Sequence, residues 1–221
     1  MKYKFFIFLF TCTYATSVLA QYNPDVSEES LHELINMHGN MPYQLLLIDR
    51  LDTDNSSPST QTIDGFYYWG NDERKYWIDF EMDEEQETSN HQVSLSRSHP
   101  MNQFWDLKYG LSHQSDNDGS FMIGLHGLAP YWFEVDAKLL LGGNESLSGS
   151  LEIEYDLLLT QRSIIQPSIE LHYDGDQVES DIGLSYRFEI IRELAPYVRL
   201  SRYDYGLGWD SKISIGLRIW K

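Results

Sequence analysis

From Pro42 to Trp220 the chain repeats one pattern: segments of about ten residues in which apolar and polar side chains alternate, as expected of strands with one face in lipid and one in water. Twelve such segments can be read, at 42–52, 61–69, 74–83, 91–98, 104–113, 121–126, 131–141, 148–159, 164–173, 181–190, 195–205 and 211–220. The connections between them alternate too. TDNSSPST, EEQETSN, QSDNDGS, GGNES, DGDQVES and the GLGWD region are long or polar, whereas GNDE, HPMNQ, GLAP, TQRS and IIREL are tight. Long polar loops on one side and short turns on the other fit an outer-membrane barrel, while a sandwich gives no reason for the alternation. The expectation is therefore all-β: an antiparallel up-and-down transmembrane β-barrel of about 12 strands, with both chain ends on the periplasmic side.

The faces agree. Phe133, Val135, Ala137 and Leu139 oppose Glu134, Asp136 and Lys138, and Leu151, Ile153, Tyr155 and Leu157 oppose Glu152, Glu154 and Asp156. Ile169, Leu171 and Tyr173 oppose Glu170, His172 and Asp174, and Ile213, Ile215, Leu217 and Ile219 oppose Ser214, Gly216 and Arg218. Aromatic residues gather near segment ends: Tyr67 to Trp69, Tyr76 and Trp77, Phe104 and Trp105, Tyr131 and Trp132, Tyr203 and Tyr205, Trp209, and Trp220. Trp and Tyr favour the headgroup level, so two girdles are expected. The competing reading is a soluble periplasmic ligand-binding barrel with these aromatics in an ordinary core.

Residues 1–20, MKYKFFIFLFTCTYATSVLA, read as a secretory signal cleaved after Ala20. The single cysteine, Cys12, leaves with it, which excludes disulfides, thiolate metal sites and cysteine nucleophiles from the mature chain. Without Lys2 and Lys4 the mature chain carries 14 basic against 34 acidic residues. So acidic a surface makes nucleic acid an improbable partner and favours cations. Residues 21–40 read as a short periplasmic leader with a helix capped by Asp25, striped by Leu31, Leu34 and Ile35, and stopped at Gly39. Residues 41–221 are left for the barrel.

The run GLAPYWFEVDAKLLLGG followed by LEIEYDLLLTQRSIIQPSIEL resembles the bacterial outer-membrane copper resistance protein B family. FWDLKYGL, PYQLLLIDRLD and RELAPYVRL match it as well, so the resemblance spreads over nearly the whole mature chain. It implies an outer-membrane barrel that handles copper ions, with lipid around it and periplasmic copper-handling proteins as candidate partners. Members commonly carry a long Met- and His-rich extension before the barrel; here one thin cluster, NMHGNM, stands in that place.

Copper(I) takes thioether and imidazole, and copper(II) takes imidazole with oxygen donors. Met37, His38 and Met41 form the compact soft-ligand candidate, the bland alternative being a helix end whose methionines pack. A second candidate lies inside the barrel: Met122 and His126, beside Glu134, Asp136, Glu152, Glu154 and Asp156, with Glu170 and His172 on a later strand. Inward carboxylates concentrate cations and reject anions. The same acids can instead neutralise Arg187, Arg199 and Arg218, making a charge-paired plug, and an inward histidine can simply hydrogen-bond an acid. Catalysis is not expected. Ser96, Ser98 and His99, or Ser112 and His113, supply lipase residue types, but neighbours on a strand point to opposite faces. A general cation-permeable or structural barrel remains the alternative function.

Overall fold

The computed structural model describes residues 42–85, 88–115, 117–142, 147–204, 206 and 208–221. The signal, the leader and the Met37, His38 and Met41 cluster lie outside the described residues. Among the described residues thirteen strands follow one another: β1 (Tyr43–Asp54), β2 (Thr60–Gly70), β3 (Lys75–Glu85), β4 (Thr88–Asn102), β5 (Trp105–Gln114), β6 (Asn117–Ala129), β7 (Phe133–Leu141), β8 (Leu147–Glu154), β9 (Leu157–Leu158), β10 (Ser163–Tyr173), β11 (Val178–Phe188), β12 (Leu194–Asp204) and β13 (Trp209–Trp220). β8 and β9 are one stave, since both pair with β10 in a single register and break at the residues facing Pro167. Proline has no N–H to give the ladder, so pairing lapses there.

Every pairing is antiparallel and between chain neighbours, and β13 closes on β1. Leu46 and Lys221 exchange two backbone hydrogen bonds of 2.9 Å across that seam. The result is a closed barrel of twelve staves, as the sequence pattern predicts. Closure leaves no strand edge unpaired, which is what lets strands stand in lipid. The end carrying Tyr43 and Trp220 is called the near end below, and the opposite one the far end.

The connections differ from the expectation. At both ends they span only two to five residues between strand bounds. The polar stretches that read as long loops continue the ladder instead: Glu85 pairs with Thr88, and Tyr173 with Val178. Polar residues can pair in a ladder as well as apolar ones, so at the far end polarity marks where the strands change surroundings, not where they stop.

The outer face carries the apolar side chains that the alternation assigns to lipid, among them Leu95, Leu111, Ile182, Leu200 and Ile215, all exposed. The near-end girdle is dense, with Trp69, Tyr76, Phe104, Tyr131 and Trp132 exposed and Trp69 stacked between Tyr67 and Tyr76. The far girdle is thin, with Trp209 as its exposed tryptophan. Trp77 is not part of either girdle: it points inward and is 2% exposed. Tyr68 packs against it at 4.7 Å between ring centroids.

Candidate functional site

The lumen is built from small inward residues on some staves and charged ones on others. Ser94, Ser96, Ser98, Ser112 and Ser120 are buried along β4 to β6. Their small size leaves room for the longer charged side chains that project from the other staves. Where a stave carries a bulge, two consecutive charges can point inward together. The β1 ladder shifts register between Ile48 and Arg50, and both Asp49 and Arg50 reach the lumen. An extra residue in one strand has that effect, since it breaks the period of two.

Two basic clamps divide the interior. In the far clamp Arg50 Nη1 lies 3.1 Å from Glu170, and Arg199 Nη2 donates to Glu170 at 2.8 Å and to Asp181 at 3.0 Å. Arg199 fits because Gly183 beneath it has no side chain; a Cβ there would strike the guanidinium. In the near clamp Lys108 Nζ lies 2.7 Å from Asp79, Lys138 Nζ 3.3 Å from Asp136, and His126 Nδ1 3.2 Å from Asp136. Lys108 also sits 4.4 Å over the Trp77 ring. Trp77 donates its indole N–H to Ser98 Oγ at 2.9 Å and meets His126 edge-on at 5.2 Å. Lys108 is 1% exposed, so its partners replace the water its ammonium group has lost.

A cavity of about 60 Å³ lies between the clamps and gathers His126, Glu134, Asp136, Glu152 and Glu154 with Asp49, Asp64, Asp79, Lys138 and Arg218. Beyond the far clamp a vestibule of about 620 Å³ opens, lined by Asp54, Glu81, Asp83, Glu85, His172, Glu179 and Asp181, with Arg50 and Glu170 in its floor. Glu152 makes no hydrogen bond or ion pair among the described residues. Glu154 accepts a hydrogen bond from Gln166 at 2.7 Å, and Asp156, nearly half exposed, holds Arg187 at 2.6 Å.

Cross-strand register adds an order to these groups. Asp106 pairs with His126, His126 with Asp136, Asp136 with Glu152, Glu152 with Glu170, Glu170 with Asp181, Asp181 with Tyr203, and Tyr203 with Asp210. Directly opposite residues have Cβ atoms about 5 Å apart. In a staggered barrel a row perpendicular to the strands climbs the wall. This one starts at the near end with Asp106 and reaches the far end at Asp210, so it is a spiral of mostly acidic side chains along the lumen.

The sequence-predicted residues thus fall into groups. His126, Glu134, Asp136, Glu152 and Glu154 share the central cavity, and Glu170 and His172 belong to the vestibule. Met122 faces inward but is 0% exposed, opposite Gly110 and Leu140 in the ladder and lining neither cavity. His126 is held by an acid and two aromatic rings. Arg187, Arg199 and Arg218 do pair with acids. Among the described residues no three His, Cys, Asp or Glu side chains converge into a ready metal cage. Ser96, Ser98 and Ser112 face in while the neighbouring His99 and His113 are exposed, so neither lipase pairing forms.

Asp49, Arg50, Asp64, Asp79 and Lys108 are lumen residues that the sequence pattern does not single out. The signal for Asp49 and Arg50 is a slip of phase. Ile48 and Leu51 are both apolar and three apart, which strict alternation does not allow.

Known proteins give this geometry a relative. A family model described as Copper resistance protein B precursor matches residues 42–213. Copper resistance protein B of Escherichia coli is 30% identical over 183 residues, covering 75% of this chain and 61% of that protein. A Copper resistance protein B homolog of Pseudomonas syringae pv. tomato is 29% identical over 159 residues, covering 60% of this chain and 54% of its own length. The chain therefore spans somewhat over half the length of these relatives. Among solved structures, a KdgM porin superposes with a TM-score of 0.56 at 11% identity, over 79% of this chain and 98% of that one. Outer membrane phospholipase A of Escherichia coli does so at 0.50 and 11%, over 83% and 95%. At such identities both likenesses show the fold alone, an outer-membrane β-barrel. With its fold and most of its length accounted for, this chain belongs to the copper resistance protein B family.

Proposed function

We propose that the barrel takes copper ions into its far-end vestibule and hands them along the carboxylate spiral, the far end facing the outside of the cell and the near end the periplasm. The observation that carries this reading is Glu152. Its carboxyl group has no hydrogen-bond partner among the described residues and stands in the spiral between a clamp centred on Glu170 and one centred on Asp136. A cation arriving there finds an uncommitted oxygen ligand, with His126 one rung beyond Asp136. Carboxylate and imidazole donors suit copper(II). Passage beyond Glu152 requires Lys138 and Lys108 to give up Asp136 and Asp79, since like charges otherwise oppose the ion.

In this reading the chain is exported with cleavage after Ala20. Residues 21–40 then lie in the periplasm, where Met37, His38 and Met41 bind copper(I) and pass it to periplasmic copper-handling proteins. The alternative is a structural or general cation-permeable barrel; its structural form draws support from the near half, where Trp77 and Lys108 are each at most 2% exposed.

Copper accumulation separates the two. Cells with the protein should accumulate a different amount of copper from cells without it, and Glu152→Gln should remove that difference. Equal accumulation in all three strains sinks the copper reading. In planar bilayers the folded barrel should show no steady conductance, and an open anion-selective pore would count against the spiral as a cation route.

A further inference from the structure

A second metal-ligand set stands on the opposite surface of the wall. Met82 on β3 and His91 on β4 are direct antiparallel partners. His113 on β5 pairs with Val93, two residues along from His91, and the two imidazole ring centroids are 6.4 Å apart with planes at 55°. The inward positions of these strands are taken by Asp79, Ser94 and Ser112, so Met82, His91 and His113 all point outward. Met82 is 41% exposed and both imidazoles are exposed.

Neither imidazole has a side-chain hydrogen bond or ion pair among the described residues. Towards the near end the outer face continues with exposed Val93 and Leu111; towards the far end it continues with Glu84 and Ser89. The trio therefore sits where the apolar band gives way to the polar rim.

We propose that Met82, His91 and His113 form a copper(I) site on the outer rim of the far end. Metal–nitrogen bonds are about 2 Å, which sets two imidazoles on opposite sides of one ion with ring centres roughly 6 Å apart. The observed separation needs only side-chain rotation to meet this. Directly opposite residues on a strand pair hold their Cβ atoms about 5 Å apart, close enough for the flexible Met82 thioether to complete a third ligand beside His91. Imidazole and thioether together select a soft monovalent ion, copper(I) or its analogue silver(I). Calcium and magnesium demand oxygen ligands, which this trio lacks.

The choice of copper as the physiological ion rests on the proposed function; the ligand chemistry does not. The site is separate from the lumen, since its side chains lie on the other face of the sheet. Its place is the rim that would first meet ions outside the cell.

The full chain, folded in detergent micelles with Met37, His38 and Met41 replaced, should be titrated anaerobically with copper(I) against a colorimetric chelator, and separately with silver(I). His91→Ala with His113→Ala should lose one bound ion per chain, and Met82→Leu should bind it more weakly. His99→Ala, which removes another outward imidazole, should bind as before. Heat-modifiable gel migration should be the same in every variant, which shows that folding is not what changes. Unchanged stoichiometry and affinity in either rim variant overturns the site, as does a parent that binds no ion. A rim site that binds copper(I) in protein giving no copper accumulation in cells would leave this assignment standing and remove the passage reading.

Discussion

The two halves of the lumen are made by the same alternation and do opposite things with it. The far half holds a vestibule of about 620 Å³ whose charged lining is mostly carboxylate. In the near half Trp77 and Lys108 are each at most 2% exposed. What differs is the size of the inward residues. Near the far end these are Asp, Glu, Ser and Thr; near the other end they include Phe66, Tyr68 and Trp77, which pack on one another and on His126. A period-two pattern decides which face is wet, and side-chain volume decides whether the wet face encloses a space.

That contrast can be broken most sharply by removing a buried cation. Lys108→Met leaves Asp79 and Asp136 short of their counter-charge and should cost about 3–5 kcal/mol. The equivalent change in the vestibule, Lys212→Met, loses one 3.8 Å pair and should cost under about 1 kcal/mol. Denaturant unfolding in detergent measures both, and equal losses would contradict a difference between the halves. Trp77→Ala should cost about 3–5 kcal/mol through the cavity it leaves. It should also produce conductance in a bilayer if the near half is the barrier.

Smaller effects sharpen the picture. Gly183→Val drives the Arg199 guanidinium off its seat above the backbone, and overpacking of this kind costs about 1–3 kcal/mol. The stability loss should fall on the far clamp, with the near clamp unchanged. Glu81→Gln combined with Asp83→Asn should leave stability within about 0.5 kcal/mol of the parent. The same pair should slow cation capture at low salt, and the deficit should fade as ionic strength rises.

Much of this architecture is legible in the sequence for a physical reason. In the EVDAK, LEIE and SIELHY stretches of β7, β8 and β10, polar or charged residues alternate with apolar ones, so parity alone places Asp136, Glu152 and Glu170 in the lumen. The β1 run LLLIDRLD hides its two lumen charges, because the bulge that turns both inward is a property of the paired ladder. In FYYWG four aromatics follow one another, and only the fold assigns Tyr68 to the lumen and Trp69 to lipid. The polar composition of Glu84–Ser89 reads as a loop, yet Glu84 pairs with Ser89 and Glu85 with Thr88, because polar residues extend a ladder as readily as apolar ones. The carboxylate spiral and the Met82, His91 and His113 set need cross-strand register, which no single segment contains.

The central claim is that a copper ion crosses the lumen by way of Glu152. Purified protein in liposomes, with copper outside and a copper-sensitive dye inside, tests it most directly. Flux through the parent that falls to the level of empty liposomes in Glu152→Gln, with folding unchanged, is the expected result. Flux that is the same in the two proteins, or absent from both, would contradict it.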